Sequence, residues 1–387
     1  MITVEQLCID CATTTRWYSQ ELIASNSIPL GNIQLSTAMI STGAIPLRFL
    51  RTLDFWGLYG INPSTYFNHQ RRFIHQAVRN LWEDESIDCL AKLEDSVQFS
   101  GDARCDSMGH CAKYGSYSLH DTDLNKIVAM ELVQVSEVKN SYHMELEGLD
   151  RALTYVEQAL PHVQIKLTTD GHKSIAKWLR EDKSETITHY LDIWHVAKGI
   201  TKKLKTLKKC PLVDQWQGSI VNHLYWCVKT IGDNVDERIE KWKSVANHIA
   251  NIHKHESKLF PKCLHSHRVC KRGRKKKWFE AGSEDHDKLC KVLLNKDLLK
   301  SVAKLSPQGQ TSGLEGYHSC LLHFCPKMYH FGYNAMTSRL QIAAMHFNEN
   351  AGRDQGITKD GKPYFNMTNP RSRERRSIVV PVKGSNI

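Results

Sequence analysis

The feature that most constrains this chain is a change of hydrophobic period near residue 93. Ahead of it the apolar residues recur with helical spacing, as Tyr66, Phe67, Phe73, Ile74, Ala77, Val78 and Leu81 do within TYFNHQRRFIHQAVRNLW. Asn62-Pro63-Ser64 supplies a turn and N-cap signal before that run, so residues 1–92 are expected to be mostly helical. After the change, SVQFSGDARCD, YGSYSLHD and KIVAMELVQVSEV alternate with period two, each bounded by Gly, Ser, Asp or Asn. They predict three consecutive strands in a meander. Helical and extended patterns then take turns: MELEGLDRALTYVEQAL (144–160), VQIKLTTD (163–170), SIAKWLRE (174–181), HYLDIW (189–194) and VAKGITKKLKTLKK.

Three antiparallel strands followed by strands joined through crossover helices is the element order of an α/β, RNase H-like mixed sheet with flanking helices. The long stretch before the last helical blocks predicts that a mainly α-helical insertion domain interrupts it. The expected division is a helical N-terminal region (1–92), the first part of the RNase H-like core (93–205), the helical insertion (206–305), the rest of the core (306–352) and a flexible basic tail (353–387).

In that topology the first and fourth strands are central neighbours, so carboxylates late in each can meet. Asp102 or Asp106 stands late in the first, and Asp170 ends the fourth. A third acid must come from a helix across the sheet, and Glu315 in TSGLEGYHSCLLHF suits this. Thr311 and Ser312 are its N-cap candidates, with Leu314, Tyr317, Leu321 and Leu322 as the buried stripe. Converging carboxylates are what two-ion cleavage of a phosphodiester needs, since Mg²⁺ or Mn²⁺ takes hard oxygen ligands. Singly, a strand-end Asp reads as a turn residue and a helical Glu as a solvated one. Asp102 is favoured over Asp106, because Asp106 adjoins the SMGH turn and a capping role competes there.

The blocks SGDARCDSMGHCAKYGSYSLHD, TTDGHKSIAKWLRE, HYLDIWHVAKGITKKL and TSGLEGYHSCLLHFCPKMYHFGYNAMTSRLQIAAMHFNEN resemble successive blocks of eukaryotic cut-and-paste DDE transposases and their host-gene derivatives, over about residues 30–352. Asp192-Ile193-Trp194-His195 is similar to the Asp-x-x-His block of the hAT, Mutator-like and P superfamilies. The resemblance implies that Asp102 or Asp106, Asp170 and Glu315 are metal ligands and that Asp192 and His195 are auxiliary. His195 reads equally as a hydrogen-bonded structural histidine, and Trp194 as core. Gly171 departs from the pattern, in which Arg often follows the second Asp. What is implied is a DNA nuclease and strand-transferase that is nuclear and homo-oligomeric; the alternative is a decayed, host-adopted transposase that binds DNA without cutting it. No site-specific DNA-binding module is recognisable upstream of residue 30, where related proteins often carry one.

Composition agrees with such a partner. The net charge of +11 suits a polyanion. No apolar run approaches the roughly 20 residues of a membrane span, and no signal-peptide pattern opens the chain. Twelve cysteines, many beside histidines, point to reduced thiols or metal ligands in an intracellular protein. Cys8 and Cys11 form CIDC without a second pair at ribbon spacing, which favours a chance pair.

Within the insertion, DQWQGSIVNHLYWCVKTI puts Trp216, Ile220, His223, Leu224 and Cys227 on one helical face, and DERIEKWKSVANHIANIHKH continues the helical theme. His248, His253, Cys263 and His265 are candidate ligands of a structural Zn²⁺, with His255, His267 and Cys270 competing. KRGRKKKW offers Lys271, Arg272, Arg274, Lys275, Lys276 and Lys277 for phosphate contact or nuclear import, and RSRERR (371–376) is a weaker basic patch.

Overall fold

A computed structural model describes residues 1–23, 28–109, 111–207, 210–230, 234–265, 277–306, 312–369 and 377–384. The three alternating segments become strands β1 (Ser96–Cys105), β2 (Tyr114–Asp121) and β3 (Lys126–Gln134). They pair antiparallel in series, while β4 (Gln164–Thr169) and β5 (Ile187–Leu191) extend the sheet in parallel from β1. The chain is mixed α/β, and its five-stranded mixed sheet has the order β3-β2-β1-β4-β5. Every residue of β2 is buried, so both faces of the sheet are covered.

The helices before the sheet are α1 (Leu30–Ser41), α2 (Pro46–Phe55), α3 (Pro63–His69) and α4 (His75–Leu90), α3 and α4 being joined by a π-helical turn over Gln70–Ile74. The period-two pattern of β1 and β2 sorts their side chains. Phe99, Tyr117 and Leu119 face α5 (Met144–Ala159), whose Leu149, Ala152, Leu153 and Val156 complete one core with Leu167 of β4. The alternate residues Ser100, Asp102, Ser118 and His120 face the other way. Beyond β4 lie α6 (Lys173–Asp182) and α7 (Ile193–Leu204), then α8 (Pro211–Thr230), α9 (Val235–His248), α10 (Glu284–Leu293) and α11 (Lys296–Ala303). The last two, α12 (Ser312–Phe324) and α13 (Tyr333–Ala351), pack with α4 on the second face around Leu314, Tyr317, Leu321, Leu340 and Ile127.

Several expectations are corrected. Residues 1–23 are not helical: Thr3–Leu7 pairs antiparallel with Thr14–Tyr18, and the helices of the N-terminal region begin only at Leu30. Within that run Phe67 and Leu81 face solvent. HYLDIW does not stay extended to its end, because Asp192 caps α7 through the His195 N–H and starts the helix there. Trp194 is consequently 43% exposed rather than core, and Leu322 lies off the buried stripe, which continues through Phe324 instead.

The core of the later helices begins before residue 206. Ile193, Ala197, Ile200 and Leu204 of α7 pack with Trp216, Ile220, Leu224, Trp242, Leu289 and Val302 in one cluster. Trp242 Nε1 donates to the Leu293 carbonyl at 3.0 Å, tying α9 to the end of α10. The helical stretch also returns to where it left the sheet: Leu191 forms a parallel bridge with Leu305, and Arg238 Nη1 donates to the Leu305 carbonyl at 2.8 Å. α9 stops at His248, and Asn251 at φ 60 turns the chain, so IANIHKH is not helical. The tail carries order of its own, with Phe365–Thr368 paired antiparallel to Ile378–Pro381. Among the described residues, no helix is long and apolar enough to cross a membrane.

Candidate active site

Strand register brings the first two acids together. β1 and β4 pair Ser100 with Thr168, so two residues further on Asp102 stands opposite Asp170, which follows the end of β4. Asp102 Oδ1 accepts the Ala103 N–H at 2.8 Å, and Asp170 Oδ1 accepts the His172 N–H at 3.1 Å. The third acid arrives on α12. Glu315 lies exposed in its first turn, and one turn on His318 Nδ1 reaches 3.5 Å from Asp102 Oδ2. α12 approaches the sheet this closely because residue 313 is glycine: a Cβ there would stand 2.5 Å from His120 Cε1.

The electrostatics show that these groups share one region. Burial, and after it Asp170 and Glu315 among its neighbours, push the Asp102 carboxyl up to about 6, against the pull of the Ala103 N–H and of His195. His195 is raised above the usual histidine range, first by its hydrogen bond to Asp192 and further by Asp170 and Asp102. Its Nδ1 lies 3.0 Å from Asp192 Oδ2, and Asp192 is itself buried, its N–H donating to the Thr169 carbonyl at 2.9 Å. Thus one hydrogen bond links the end of β4 to the start of α7. His318 is pushed down to about 4 by burial, with Arg104 and Lys327 adding to the effect. It is therefore a neutral ring beside Asp102, and their contact is not an ion pair.

A fourth carboxylate joins the group unannounced by the sequence. Glu145 opens α5, and burial, followed by Asp170 and Asp102, pushes it up to about 8. In MELEGLDR it is indistinguishable from Glu147 as a first-turn acid favoured by the helix dipole. His318 left a signal that could have been read, since Glu-x-x-His places two polar groups on one helix face. Beside Glu145, the His172 ring lies 3.8 Å away.

Asp106 plays a different part. Its Oδ1 accepts the Lys113 N–H at 3.1 Å, its own N–H donates to the Tyr114 carbonyl and its carbonyl accepts from Met328, so it closes the β1–β2 turn. Gly171, by contrast, has open space where a side chain would begin. Asp102, Asp170 and Glu315 are neighbours but are not drawn into contact as a ligand set. Among the described residues the one group of His, Cys, Asp and Glu gathered closely enough to hold an ion is His248, His253, Cys263 and His265. Cys8 and Cys11 sit exposed in the N-terminal hairpin, outside that group.

Of the basic run, Lys271, Arg272, Arg274, Lys275 and Lys276 lie outside the described residues, as do His267, Cys270, Thr311 and residues 371–376. Lys277 is described, and its carbonyl accepts Trp216 Nε1–H at 3.0 Å. Neither the known protein families nor the curated proteins provide a match for this chain.

Proposed function

We propose that the chain is a metal-dependent DNA nuclease and strand-transferase of the DDE transposase type, its sheet an RNase H-like core and its helices from α8 to α11 an insertion. The observation that carries this reading is the crowding of acids from separate segments at one end of two adjacent parallel strands. Asp102 and Glu145 both hold protons unusually tightly there. Such crowding is unfavourable until a cation neutralises it. The order β3-β2-β1-β4-β5 supports the same reading, because it sets β1 beside β4.

The donors fit a hard divalent cation: carboxylate oxygens, partly exposed to water, with Asp102 32% exposed. Asp102, Asp170 and Glu315 would hold Mg²⁺ or Mn²⁺, Glu315 swinging inward from its exposed position. When bound, the ions supply Lewis-acid activation of the phosphodiester and of the attacking oxygen. The chain's own groups do the rest. Asp192 orients His195 and raises its affinity for a proton, which suits the ring to meet phosphate oxygens that gain negative charge. Behind it on α7, Lys198, Lys202 and Lys203 are exposed and suit the nucleic-acid backbone. Asp106 takes no part.

Cleavage of double-stranded DNA in Mg²⁺ or Mn²⁺ is the test. Asp170→Ala and Glu315→Ala are expected to abolish it with folding intact by circular dichroism, and His195→Ala to slow it by about 10²-fold. Cleavage insensitive to both carboxylate substitutions overturns the site. Salt-sensitive DNA binding without cleavage by the wild type would instead select the non-cutting, DNA-binding alternative.

A further inference from the structure

We propose that His248, His253, Cys263 and His265 form a tetrahedral structural zinc site, independent of the carboxylates and their function. One ligand atom from each of the four lies within 4.8 Å of all the others. Four ligands at bond lengths of about 2.0–2.3 Å sit roughly 3.5 Å apart around zinc, so modest side-chain rotation closes the set. Cys263 Sγ is already 3.5 Å from His248 Nδ1.

The backbone builds this arrangement from short-range parts. His248 ends α9, and the turn at Asn251 folds the chain back. A narrow hairpin follows: Lys254 bridges Lys262 antiparallel, the Cys263 N–H donates to the His253 carbonyl at 3.0 Å, and the His255 N–H donates to the Pro261 carbonyl at 2.8 Å. That pairing sets His253 beside Cys263. The rings of His248, His253 and His265 then stand 4.9–5.2 Å apart, edge to face. Trp278 walls the group, its ring 5.9 Å from both His248 and His253, and Trp216 packs on Trp278 at 5.2 Å.

The structure also separates ligand from support. His255 is not a fourth imidazole of the set. Its Nδ1 accepts from the Asn247 amide at 3.2 Å, which leaves the proton on Nε2, 3.3 Å from Cys263 Sγ. It is a positioning residue, donating to the sulfur as outer partners of metal ligands do. Three neutral imidazoles and one thiolate fill a tetrahedral shell and leave no open position, which distinguishes this site from a catalytic one. As the zinc–sulfur bond forms, Cys263 gives up its thiol proton to water, and one proton is released per ion. A cavity of about 470 Å³ lined by His248, Cys263 and His265 offers the ion a way in.

The full chain, purified without chelator and dialysed, is assayed for zinc by mass spectrometry. About one zinc per chain is expected, retained by Asp170→Ala and lost by the double variant His253→Ala/Cys263→Ser. His255→Ala should keep the ion but bind it about 10–100-fold more weakly in a chelator competition. Should the double variant fail to fold, Co²⁺ loaded into the wild type decides: a tetrahedral visible spectrum with a thiolate charge-transfer band supports the site, and an octahedral spectrum or no such band overturns it. Zinc absent from the wild type and not taken up on addition, zinc kept by a folded double variant, or zinc lost from Asp170→Ala also overturns it.

Discussion

Asp102 and Glu145 keep their protons up to about 6 and about 8, far above the ordinary carboxyl range. A folded-state pKa raised above the unfolded one contributes stability at low pH and loses it as pH rises through the folded value. The contribution of these two carboxyls to the stability of the metal-free protein is therefore expected to fall from about pH 4 to about pH 8. Asp102→Asn should recover on the order of 1 kcal/mol at pH 8 and change little at pH 5, a modest figure because the group is partly solvated. Thermal melts across that range measure both effects. Mg²⁺ should raise the melting temperature more at pH 8 than at pH 5, and a difference between wild type and variant that does not change with pH contradicts the crowding. At this scale the sequence was partly legible. Asp170 and Glu315 stand in distinctive blocks and the first acid is a choice between Asp102 and Asp106, whereas Glu145 looks like any acid at a helix start because what perturbs it comes from β1 and β4.

Among the elements, α12 carries the third acid, and Gly313 governs how closely it sits. An alanine there would press on the buried His120 ring and shift the helix, so Gly313→Ala should cost about 1–3 kcal/mol and displace Glu315. Gly171→Ala meets nothing within 4 Å and should leave stability nearly unchanged. Urea denaturation of the two variants checks the contrast; equal losses would refute it. The elements themselves were readable where periodicity is strong, as in β2 and α5. They were misread where one residue outweighs the pattern: Asp192 turns an apolar, strand-like run into a helix start by capping it. Leu322 failed for a related reason, since it stands one residue past Leu321 and so about 100° round the helix from it.

At the scale of the whole molecule, a net charge of +11 and the exposed lysines of α7 predict DNA binding that weakens steeply with salt. Replacing Lys198, Lys202 and Lys203 with alanine should each lower the slope of log affinity against log salt by about 1. Fluorescence anisotropy titrations at several salt concentrations would measure it, and unchanged slopes in all three would remove α7 from the interface. The sequence by itself determined the strands and helices whose period is strong, where the period changes and which residues have the chemistry to bind metal. Those properties depend on neighbours a few positions apart. Tertiary structure turned the preference for Asp102 over Asp106 into an observed register opposite Asp170, and it alone decided that Glu145 and His318 join them, that α7 belongs to the core of the later helices, and that His255 supports the histidine–cysteine group from outside it. Such meetings follow from strand register and helix packing between segments far apart in the chain, which no local pattern records.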